Sequence, residues 1–302
     1  MYLVFWQLQC QNFNQDVNKQ TKQQQNNELV EFSYPIERKQ KEKQISCSVR
    51  PLSTMISAKA VSSSIPKYGV GTQPFTVLIE GNIGSGKTTF IEHFQKFEDK
   101  VCAIAEPVYK WRNFKGHNLL ELMYIDPDRW AMPFQSYVML TMLERHTQLT
   151  TKPIKILERS LYSAKYCFVE NLHQSGRIHD GMYEILKEWY NYVEDITHIQ
   201  ADLIVYLRTT PEVVYERIRK RARSEEACVP YEYIKQLHEL HEDWLIRKRV
   251  GHNIKVLEIE ADLDLSEIDR EYKRSENFIH ASMQQQRPAV TASPSKRTDF
   301  LG

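Results

Sequence analysis

The loop from Gly81 to Thr88 is the part of the chain with the clearest capacity for chemistry. Its sequence, GNIGSGKT, matches the pattern G-x-x-x-x-G-K-[ST] completely. Glycines let successive backbone N–H groups point at one anion, and the start of a following helix favours negative charge. A lysine at this position reaches the β- and γ-phosphates of a nucleotide, and the threonine hydroxyl binds Mg²⁺. The loop therefore predicts a site for a nucleotide with its metal ion.

The residues expected to contact this nucleotide are Gly81, Asn82, Ile83, Gly84, Ser85, Gly86, Lys87, Thr88 and Thr89. We expect Lys87 to lie on a surface loop, where it would support no hydrophobic core. Phe75–Glu80, before the loop, is an apolar β-branched run that predicts a strand. Apolar residues recur after the loop at helical spacing, which predicts a helix there; they are Phe90, Ile91, Phe94 and Phe97.

Two further apolar runs end in charged side chains. Val101–Ala105 is followed by Glu106-Pro107, and Ile154–Leu157 is followed by Glu158-Arg159. In an open α/β sheet, ligands bind outside the carboxyl ends of the strands. Glu106 is therefore a candidate general base, with a solvated loop carboxylate as the alternative. Glu158 is a candidate group for holding metal or its water, and Arg159 could neutralise developing charge.

The segment from Arg217 to Arg223 is densely basic and ends a predicted helix. A solvated helix face is the simpler interpretation of such a run. The run leads, however, into Ser224-Glu225-Glu226 and a proline, so a flexible lid is the alternative that we favour. Arginines on a lid suit phosphate transfer, because most of that catalysis is stabilisation of charge on the phosphoryl group.

A helix predicted from about Phe134 to Leu149 carries an amide beside apolar groups. Gln135, Val138 and Met142 share one face by their spacing, and Ala164 and Phe168 share a face of a later helix. Such a wall could recognise a nucleobase, since an amide offers both a donor and an acceptor. Core packing with an exposed glutamine is the alternative. Pro133 is expected in the first turn of this helix.

Strands and helices alternate along the chain, which predicts parallel strands with helices on both faces of the sheet. The remaining predicted strands are Leu203–Leu207 and Lys255–Ile259. The remaining predicted helices are Asn118–Tyr124, Ser163–Gln174, Asp180–Asp195, one beginning at Thr210-Pro211, one from Pro230 to about Arg249, and Leu265 to about Gln284. The predicted fold class is α/β, a P-loop kinase-type doubly wound parallel sheet with an arginine-rich lid.

The composition limits the partners of the chain. Its 302 residues carry a net charge of +1, so no global field favours nucleic acid or a membrane surface. The five cysteines include no C-x-x-C pair, which fits a reducing compartment and no metal cage. His238 and His241 do not have the H-E-x-x-H spacing of a zinc site, and we assign them to a charged helix face. We expect no nucleic-acid partner and no membrane association.

Residues 1–70 are rich in Gln, Asn and Ser and show little apolar periodicity, so we expect disorder there. A mitochondrial targeting segment is the alternative, because Arg and Ser occur between Arg50 and Ser64. Met55 could be a second start. We expect a folded domain at 71–284 and a disordered tail at 285–302. The expected location is the cytoplasm, with the nucleus or mitochondrion as alternatives; Lys296-Arg297 is too short a basic patch to assign a nucleus.

Taken together, Gly81–Thr88, Glu106-Pro107 with Trp111, Glu158-Arg159-Ser160 and Arg217–Glu226 resemble the deoxyribonucleoside kinase family. The likeness runs from about Gly71 to Asp264 and extends to residues 293–297. The combination is specific, although each motif alone is weak. The resemblance implies a kinase that uses ATP and Mg²⁺ to phosphorylate the 5′-hydroxyl of deoxynucleosides in nucleotide salvage. It also implies a homodimer.

The resemblance further implies a role for each matching position. Glu106 corresponds to the base that accepts the 5′-hydroxyl proton, Arg159 to the arginine beside it, and Glu158, with Thr88, to the groups that hold Mg²⁺. Gln135 matches the amide that pairs with the nucleobase, and Trp111 and Phe168 the aromatic clamp. Tyr124 and Glu226 match groups that bind the 3′-hydroxyl. Arg217, Arg221 and Arg223 match lid arginines over the phosphates.

Two other functions remain open at this point. A deoxynucleoside monophosphate kinase, such as a thymidylate kinase, shares the loop and the lid, but Glu106 would repel its substrate's phosphate. A non-catalytic nucleotide-binding module is the other; GTP switches carry D-x-x-G and N-K-x-D, and neither appears in the folded region. Thymidine and deoxycytidine are the expected preferred substrates, with purine deoxynucleosides accepted. Relatives that prefer purines or deoxycytidine look charged at the positions of Met142 and Ala164, which are uncharged here.

Overall fold

In the computed structural model, the residues described are 73–197, 199, 201–223, 226, 229–251, 253–263 and 265–286. The predictions of disorder at 1–70 and 285–302, and the targeting alternative, lie almost entirely outside these residues. The described part of the chain belongs to one compact unit that begins at Gln73.

The strands are β1 (Phe75–Glu80), β2 (Val101–Ile104), β3 (Ile154–Glu158), β4 (Leu203–Arg208) and β5 (Val256–Glu260). The α-helices are α1 (Lys87–Gln95), α2 (Val108–Arg112), α3 (Leu119–Ile125), α4 (Pro127–Thr147), α5 (Leu161–Ser163), α6 (Glu170–Gln174), α7 (Asp180–Thr197), α8 (Pro211–Arg221), α9 (Tyr231–His241) and α10 (Leu265–Gln286). Two π-helical segments, π1 (Ala164–Val169) and π2 (Glu242–Ile246), continue α5 and α9.

The five strands form one parallel sheet in the order β2-β3-β1-β4-β5. β1 is central, and its register pairs Ile79 with Glu158 and Glu80 with Tyr206. Because all strands run the same way, their carboxyl ends meet at one edge. The loop after β1 therefore lies beside the ends of β3 and β4.

Helices cover both faces of the sheet, as a doubly wound fold requires. Val77 and Ile79 of β1 point to a core completed by Phe90 of α1 and Ile279 of α10. Leu78 points the other way, into a second core that contains residues of π1, α9 and π2. A third apolar cluster joins α3, α4 and α7 to the start of π1. The predicted fold class is confirmed.

Several boundaries differ from the predictions. α4 begins at Pro127, so Pro133 lies inside the helix and not in its first turn. Pro127 takes the first-turn position instead, where a missing N–H costs nothing. β2 ends at Ile104, before Ala105, and the short helix α2 around Trp111 was not predicted. Thr210 precedes α8 but its side chain makes no capping hydrogen bond.

The assignment of His238 and His241 to a charged helix face is wrong for His241. Its side chain is fully buried, and its ring stacks on Tyr206. Glu242 is also buried and accepts hydrogen bonds from Tyr206 and Arg208. The described residues contain no group of His, Cys, Asp and Glu side chains able to hold a metal by themselves. None of the described helices is long and apolar enough to cross a membrane.

Candidate active site

The glycine-rich loop is shaped by its backbone. Gly81 and Gly86 have φ of 143° and 94°, which side-chain-bearing residues rarely adopt. A Cβ on Gly81 would also lie 2.6 Å from the carbonyl oxygen of Leu207 in β4. Asn82 ties the loop to α9, because its side-chain nitrogen donates to the carbonyl oxygen of Ile234 at 2.9 Å. The loop therefore presents the start of α1, where N–H groups favour an anion.

Lys87 is buried, contrary to the expectation of an exposed loop lysine. It is 5% exposed, and its Nζ donates to the carbonyl oxygens of Gly81 and Asn82 at 3.1 and 2.5 Å. Burial, with Arg159 acting in the same direction, lowers the pKa of Lys87 to about 7. The carboxylates of Glu106 and Glu158 oppose this shift. An arriving phosphate would add negative charge and favour the ammonium form.

Thr88 and Glu158 meet at the start of α1 and the end of β3. The Thr88 hydroxyl donates to Glu158 Oε1 at 2.8 Å, and the backbone N–H of Glu106 donates to Oε2 at 3.1 Å. The hydroxyl and carboxylate oxygens are hard donors of the kind that Mg²⁺ prefers. The two residues predicted for the metal therefore lie in direct contact with each other.

Glu106 and Arg159 form an ion pair at the same edge of the sheet. The Nε of Arg159 lies 3.0 Å from Glu106 Oε1, and both side chains are largely buried. Burial raises the pKa of Glu106, as does the neighbouring Glu158, whereas Arg159, Lys87 and Arg145 lower it. A carboxylate with a raised pKa and an arginine partner is suited to accept a proton.

The backbone of Arg159 adopts an unusual conformation. Its φ is 59°, in the left-handed region, where a residue with a Cβ pays about 1–2 kcal/mol. The conformation is held by its own N–H, which donates to the carbonyl oxygen of Ile79, and by Ser160, whose hydroxyl accepts from the N–H groups of Tyr162 and Ser163. The guanidinium of Arg159 also lies over the ring of Phe168, 4.7 Å from its centroid. The ion pair with Glu106 and the contact with Phe168 therefore hold the guanidinium in place.

Gln135 of α4 is buried, at 2% exposed, and its side-chain oxygen has no hydrogen-bond partner among the described residues. A buried acceptor without a partner is costly unless a ligand satisfies it. Val138, Met142 and Ala164 are buried around it and line the same cavity. The alternative of an exposed glutamine on a core-packing helix is wrong.

Aromatic side chains complete this wall. Trp111 of α2 is buried, donates from Nε1 to the Thr141 hydroxyl at 3.0 Å, and packs edge-to-face against Phe134. Phe134 was not among the predicted site residues. Its position beside Gln135 in an apolar helix was the available signal, but helical periodicity alone cannot separate a cavity wall from a core.

The basic segment folds over the same cavity. α8 ends at Arg221, and Arg221 and Arg223 both pair with the buried Glu226, at 2.5 and 3.4 Å. Arg217 donates to the carbonyl oxygen of Ala261 at 2.9 Å. Arg221 and Arg223, two of the predicted lid arginines, therefore pair with Glu226, which was predicted to bind the 3′-hydroxyl of the substrate.

One cavity of about 500 Å³ brings these groups together. Apart from Gly81 and Asn82, all the predicted site residues line it: Ile83, Gly84, Ser85, Gly86, Lys87, Thr88, Thr89, Glu106, Trp111, Tyr124, Gln135, Val138, Met142, Glu158, Arg159, Ala164, Phe168, Arg217, Arg221, Arg223 and Glu226. Gly81 and Asn82 shape the loop instead. Unpredicted residues along the wall include Phe134, Met123 and Tyr233.

Glu80, the last residue of β1, was not among the predicted site residues, and it interacts electrostatically with Arg159 and Lys87. It is fully buried, accepts from the Ser160 hydroxyl at 2.5 Å, and its Oε2 has no partner among the described residues. Burial raises its pKa to about 7, although Ser160 and Arg159 oppose the shift. A carboxylate that ends an otherwise apolar strand was the signal available in the sequence.

Known proteins resemble this chain over the same region. The sequence profile of the family described as Deoxynucleoside kinase matches residues 77–281. Thymidine kinase 2, mitochondrial, from Homo sapiens is 48% identical over 62% of this chain and 70% of its own length. Deoxycytidine kinase 2 from Gallus gallus is 34% identical over 65% and 86%, and deoxycytidine kinase from Rattus norvegicus is 31% identical over 73% and 94%.

The matched region contains the glycine-rich loop, both strand-end carboxylates and the arginine segment that surround the cavity. The predicted resemblance is confirmed. The chain therefore belongs to the deoxynucleoside kinase family and is an ATP-dependent kinase of deoxynucleosides.

Proposed function

We propose that this enzyme transfers the γ-phosphate of ATP to the 5′-hydroxyl of its nucleoside with Glu106 as the general base. The main observation in support is the ion pair between Glu106 and Arg159. This pair lines the same cavity as Lys87 and as the proposed base-binding residue Gln135. Glu106 accepts the hydroxyl proton. Arg159 keeps the carboxylate in place and, with Lys87, stabilises negative charge on the transferred phosphate.

The donor set beside the loop fits Mg²⁺. The hydroxyl of Thr88 and the carboxylate of Glu158 would hold the ion, directly or through water. When bound, Mg²⁺ neutralises charge on the phosphate oxygens. The three arginines at positions 217, 221 and 223 line the same cavity and would add to this stabilisation over the phosphates.

A chromatographic assay with ATP labelled in its γ-phosphate tests which molecule accepts the phosphate. We expect label on thymidine and deoxycytidine in the presence of Mg²⁺. Label only on the nucleoside monophosphate would instead support a monophosphate kinase, and no transfer would support a binding module. Glu106 argues against the monophosphate kinase, because a buried carboxylate repels a substrate phosphate.

We infer that pyrimidines are preferred. The side-chain oxygen of Gln135, which no described residue satisfies, can together with its amide nitrogen pair with either thymine or cytosine after rotation of the amide. Met142 and Ala164 are uncharged and buried beside it. A methionine repacks around different shapes, so a purine ring is accepted after Met142 moves, at a cost in affinity. Thymidine is expected first and deoxycytidine close behind.

Met142→Arg combined with Ala164→Asp should shift the preference away from thymidine. The new arginine and aspartate side chains would occupy the space beside Gln135. They would therefore change which hydrogen-bonding groups of a nucleobase can be paired in the pocket. We expect the ratio of kcat/KM for thymidine to that for deoxycytidine to fall by about 10- to 100-fold. The measurement is a panel of four deoxynucleosides.

A matched control places the same charges on the surface, as Gln148→Arg with Gln174→Asp, and should leave the ranking unchanged. The pocket assignment is wrong if the Met142 and Ala164 double variant keeps the wild-type ranking. It is also wrong if the wild type strongly favours deoxyguanosine.

We propose a homodimer formed through α7. Five large apolar side chains at alternating spacings of three and four residues form a stripe along this helix: Met182, Ile185, Trp189, Tyr192 and Ile196. All five are exposed, Tyr192 by 56% and Ile196 by 53%, although the neighbouring face of α7 is already buried in the chain's own core. Such a stripe packs well against its own copy across a two-fold axis.

Ile185→Glu with Trp189→Glu should convert the dimer to a monomer, because two carboxylates cannot be buried against their own copies. Light scattering coupled to size exclusion measures the mass. Glu184→Lys, on an exposed face away from the stripe, should keep the dimer. A wild type of monomer mass, or a double variant of dimer mass, would refute this interface.

The chain beginning at Met55 should phosphorylate thymidine with a kcat within about two-fold of the full chain. The reason is compositional: residues 1–54 carry too few periodic apolar residues to contribute a core. Loss of activity on this truncation would show that residues 1–54 are part of the functional enzyme.

A fusion of residues 1–70 to a fluorescent reporter tests the location of the protein. We expect the reporter in the cytoplasm. Import into mitochondria is the alternative, because one relative is a thymidine kinase named as mitochondrial.

A further inference from the structure

The C-terminal end of α4 contacts the two strand ends that carry Glu106 and Arg159. The guanidinium of Arg145 donates from Nη2 to the carbonyl oxygen of Ile104 at 2.8 Å. Ile104 is the last residue of β2, just before the turn that carries Glu106. Arg145 therefore fixes the end of the strand from which the proposed general base projects.

The next residue, His146, contacts the other strand end. Its Nε2 accepts a hydrogen bond at 3.2 Å from the backbone N–H of Leu161, the first residue of α5. Leu161 follows the strained Arg159-Ser160 turn. Since Nε2 is the acceptor, the neutral ring must carry its proton on Nδ1. His146 therefore holds the turn that aims Arg159.

The charge state of His146 suits its contact with the backbone N–H of Leu161. Desolvation, Lys155 and Arg145 lower the pKa of His146 to about 3, so the ring stays neutral and its acceptor stays available at neutral pH. The Nζ of Lys155 donates to the carbonyl oxygens of His146 and Gln148, which fixes the end of α4 from β3.

Arg145 also contributes charge. It is 8% exposed, and burying a guanidinium is costly unless nearby anions compensate. Burial lowers its pKa, whereas Glu106, Glu158 and Tyr109 oppose the shift. Among the described residues, the charges with the largest electrostatic effect on Glu106 are Arg159 and Glu158 at the end of β3, Lys87 of α1, and Arg145 of α4. Of these, Arg145 is the one supplied by the base-recognition helix.

We propose that Arg145 and His146 are positioning residues that hold Glu106 and Arg159 in register with each other from the end of α4. The same helix carries Gln135 and Met142 of the base pocket, so one rigid element links nucleobase recognition to the reacting groups. The inference rests on the proposed role of Glu106 as the base. In this proposal, Arg145 and His146 align the reacting groups although neither residue contacts a substrate.

Arg145→Met removes the donor to the Ile104 carbonyl oxygen, and Arg145→Lys is the conservative variant. The control Arg129→Met makes the same change at an exposed position of the same helix. We expect Arg145→Met to lower kcat about 10- to 100-fold with a much smaller change in nucleoside KM. Arg145→Lys keeps a positively charged donor and should recover most of the lost kcat, whereas Arg129→Met should match the wild type.

His146→Leu tests the contact to Leu161, and His146→Gln restores an acceptor at about the same distance from the backbone. We expect His146→Leu to lower kcat about ten-fold and His146→Gln to recover most of it.

A wild-type kcat in folded Arg145→Met, or a kcat of Arg145→Lys no higher than that of Arg145→Met, would overturn the positioning role of Arg145. Arg145→Gln provides the same measurement if the methionine variant does not fold. Equal activity of His146→Leu and His146→Gln would overturn the positioning role of His146. The role of Glu106 as the general base is tested separately. That role would be refuted if Glu106→Gln kept the wild-type kcat.

Discussion

Lys87→Ala should lower kcat by about 10³-fold or more. Positive groups at the transferred phosphate supply much of the catalysis of phosphate transfer. The Nζ of Lys87 already lies within the glycine-rich loop, bonded to the carbonyl oxygens of Gly81 and Asn82. The measurement is single-turnover transfer from ATP to thymidine, together with a melting curve.

Because Lys87 is buried, its removal could also disturb the loop. Lys87→Met keeps the apolar stem and separates the two effects: it should be as inactive as Lys87→Ala while melting like the wild type. In the wild type, the KM for ATP should rise as the pH increases above about 7, since the ammonium is lost there. Full turnover in a folded Lys87→Ala protein would refute the assignment of the phosphate loop.

Glu106→Gln should keep nucleoside binding and lower kcat by about 10²- to 10⁴-fold, the contribution of a positioned general base. Glutamine matches the shape of the carboxylate and still accepts a hydrogen bond from Arg159, but it cannot take a proton. Since the pKa of Glu106 is raised by burial, wild-type activity should fall as the pH drops through that pKa. The variant should lose this acid limb.

Glu144→Gln is the matched control for this change, because Glu144 is exposed on α4 and pairs only with Lys110 among the described contacts. It should be fully active. If Glu106→Gln instead loses nucleoside binding and keeps kcat, Glu106 positions the substrate and another group accepts the proton. Binding is measured by calorimetry without ATP.

Much of this arrangement could be predicted from the sequence because the signals are local. The phosphate loop has a fixed spacing, and Glu106 and Glu158 each end an apolar run at the edge where parallel strands place their ligands. The fold class follows from the alternation of strands and helices. The pocket residues on α4 share a face by helical geometry alone.

The features that were missed depend on contacts between distant parts of the chain. Whether Lys87 is exposed depends on how the loop folds back on itself, and spacing does not encode that. His241 is buried because Tyr206 lies across from it, which a helical pattern cannot show. The strand that contains Glu80 is predicted correctly, but its hydrogen bond with Ser160, in the turn after β3, joins distant parts of the chain and leaves no signal in the strand pattern. Pro133 was placed by its preference for first turns, but Pro127 occupies that position.

The central position of β1 has a consequence for biosynthesis. Its two neighbours in the sheet, β3 and β4, and the α9 carbonyl that anchors Asn82 all come later in the chain. During synthesis from the N-terminus, the phosphate loop and its apolar strand therefore leave the ribosome well before anything can pair with them. Folding of this domain must close long-range contacts, which is slow and leaves the strand open to misassociation. Competence to bind a nucleotide is thus among the last properties that the nascent chain acquires, even though the loop is among the first parts of the domain to be made.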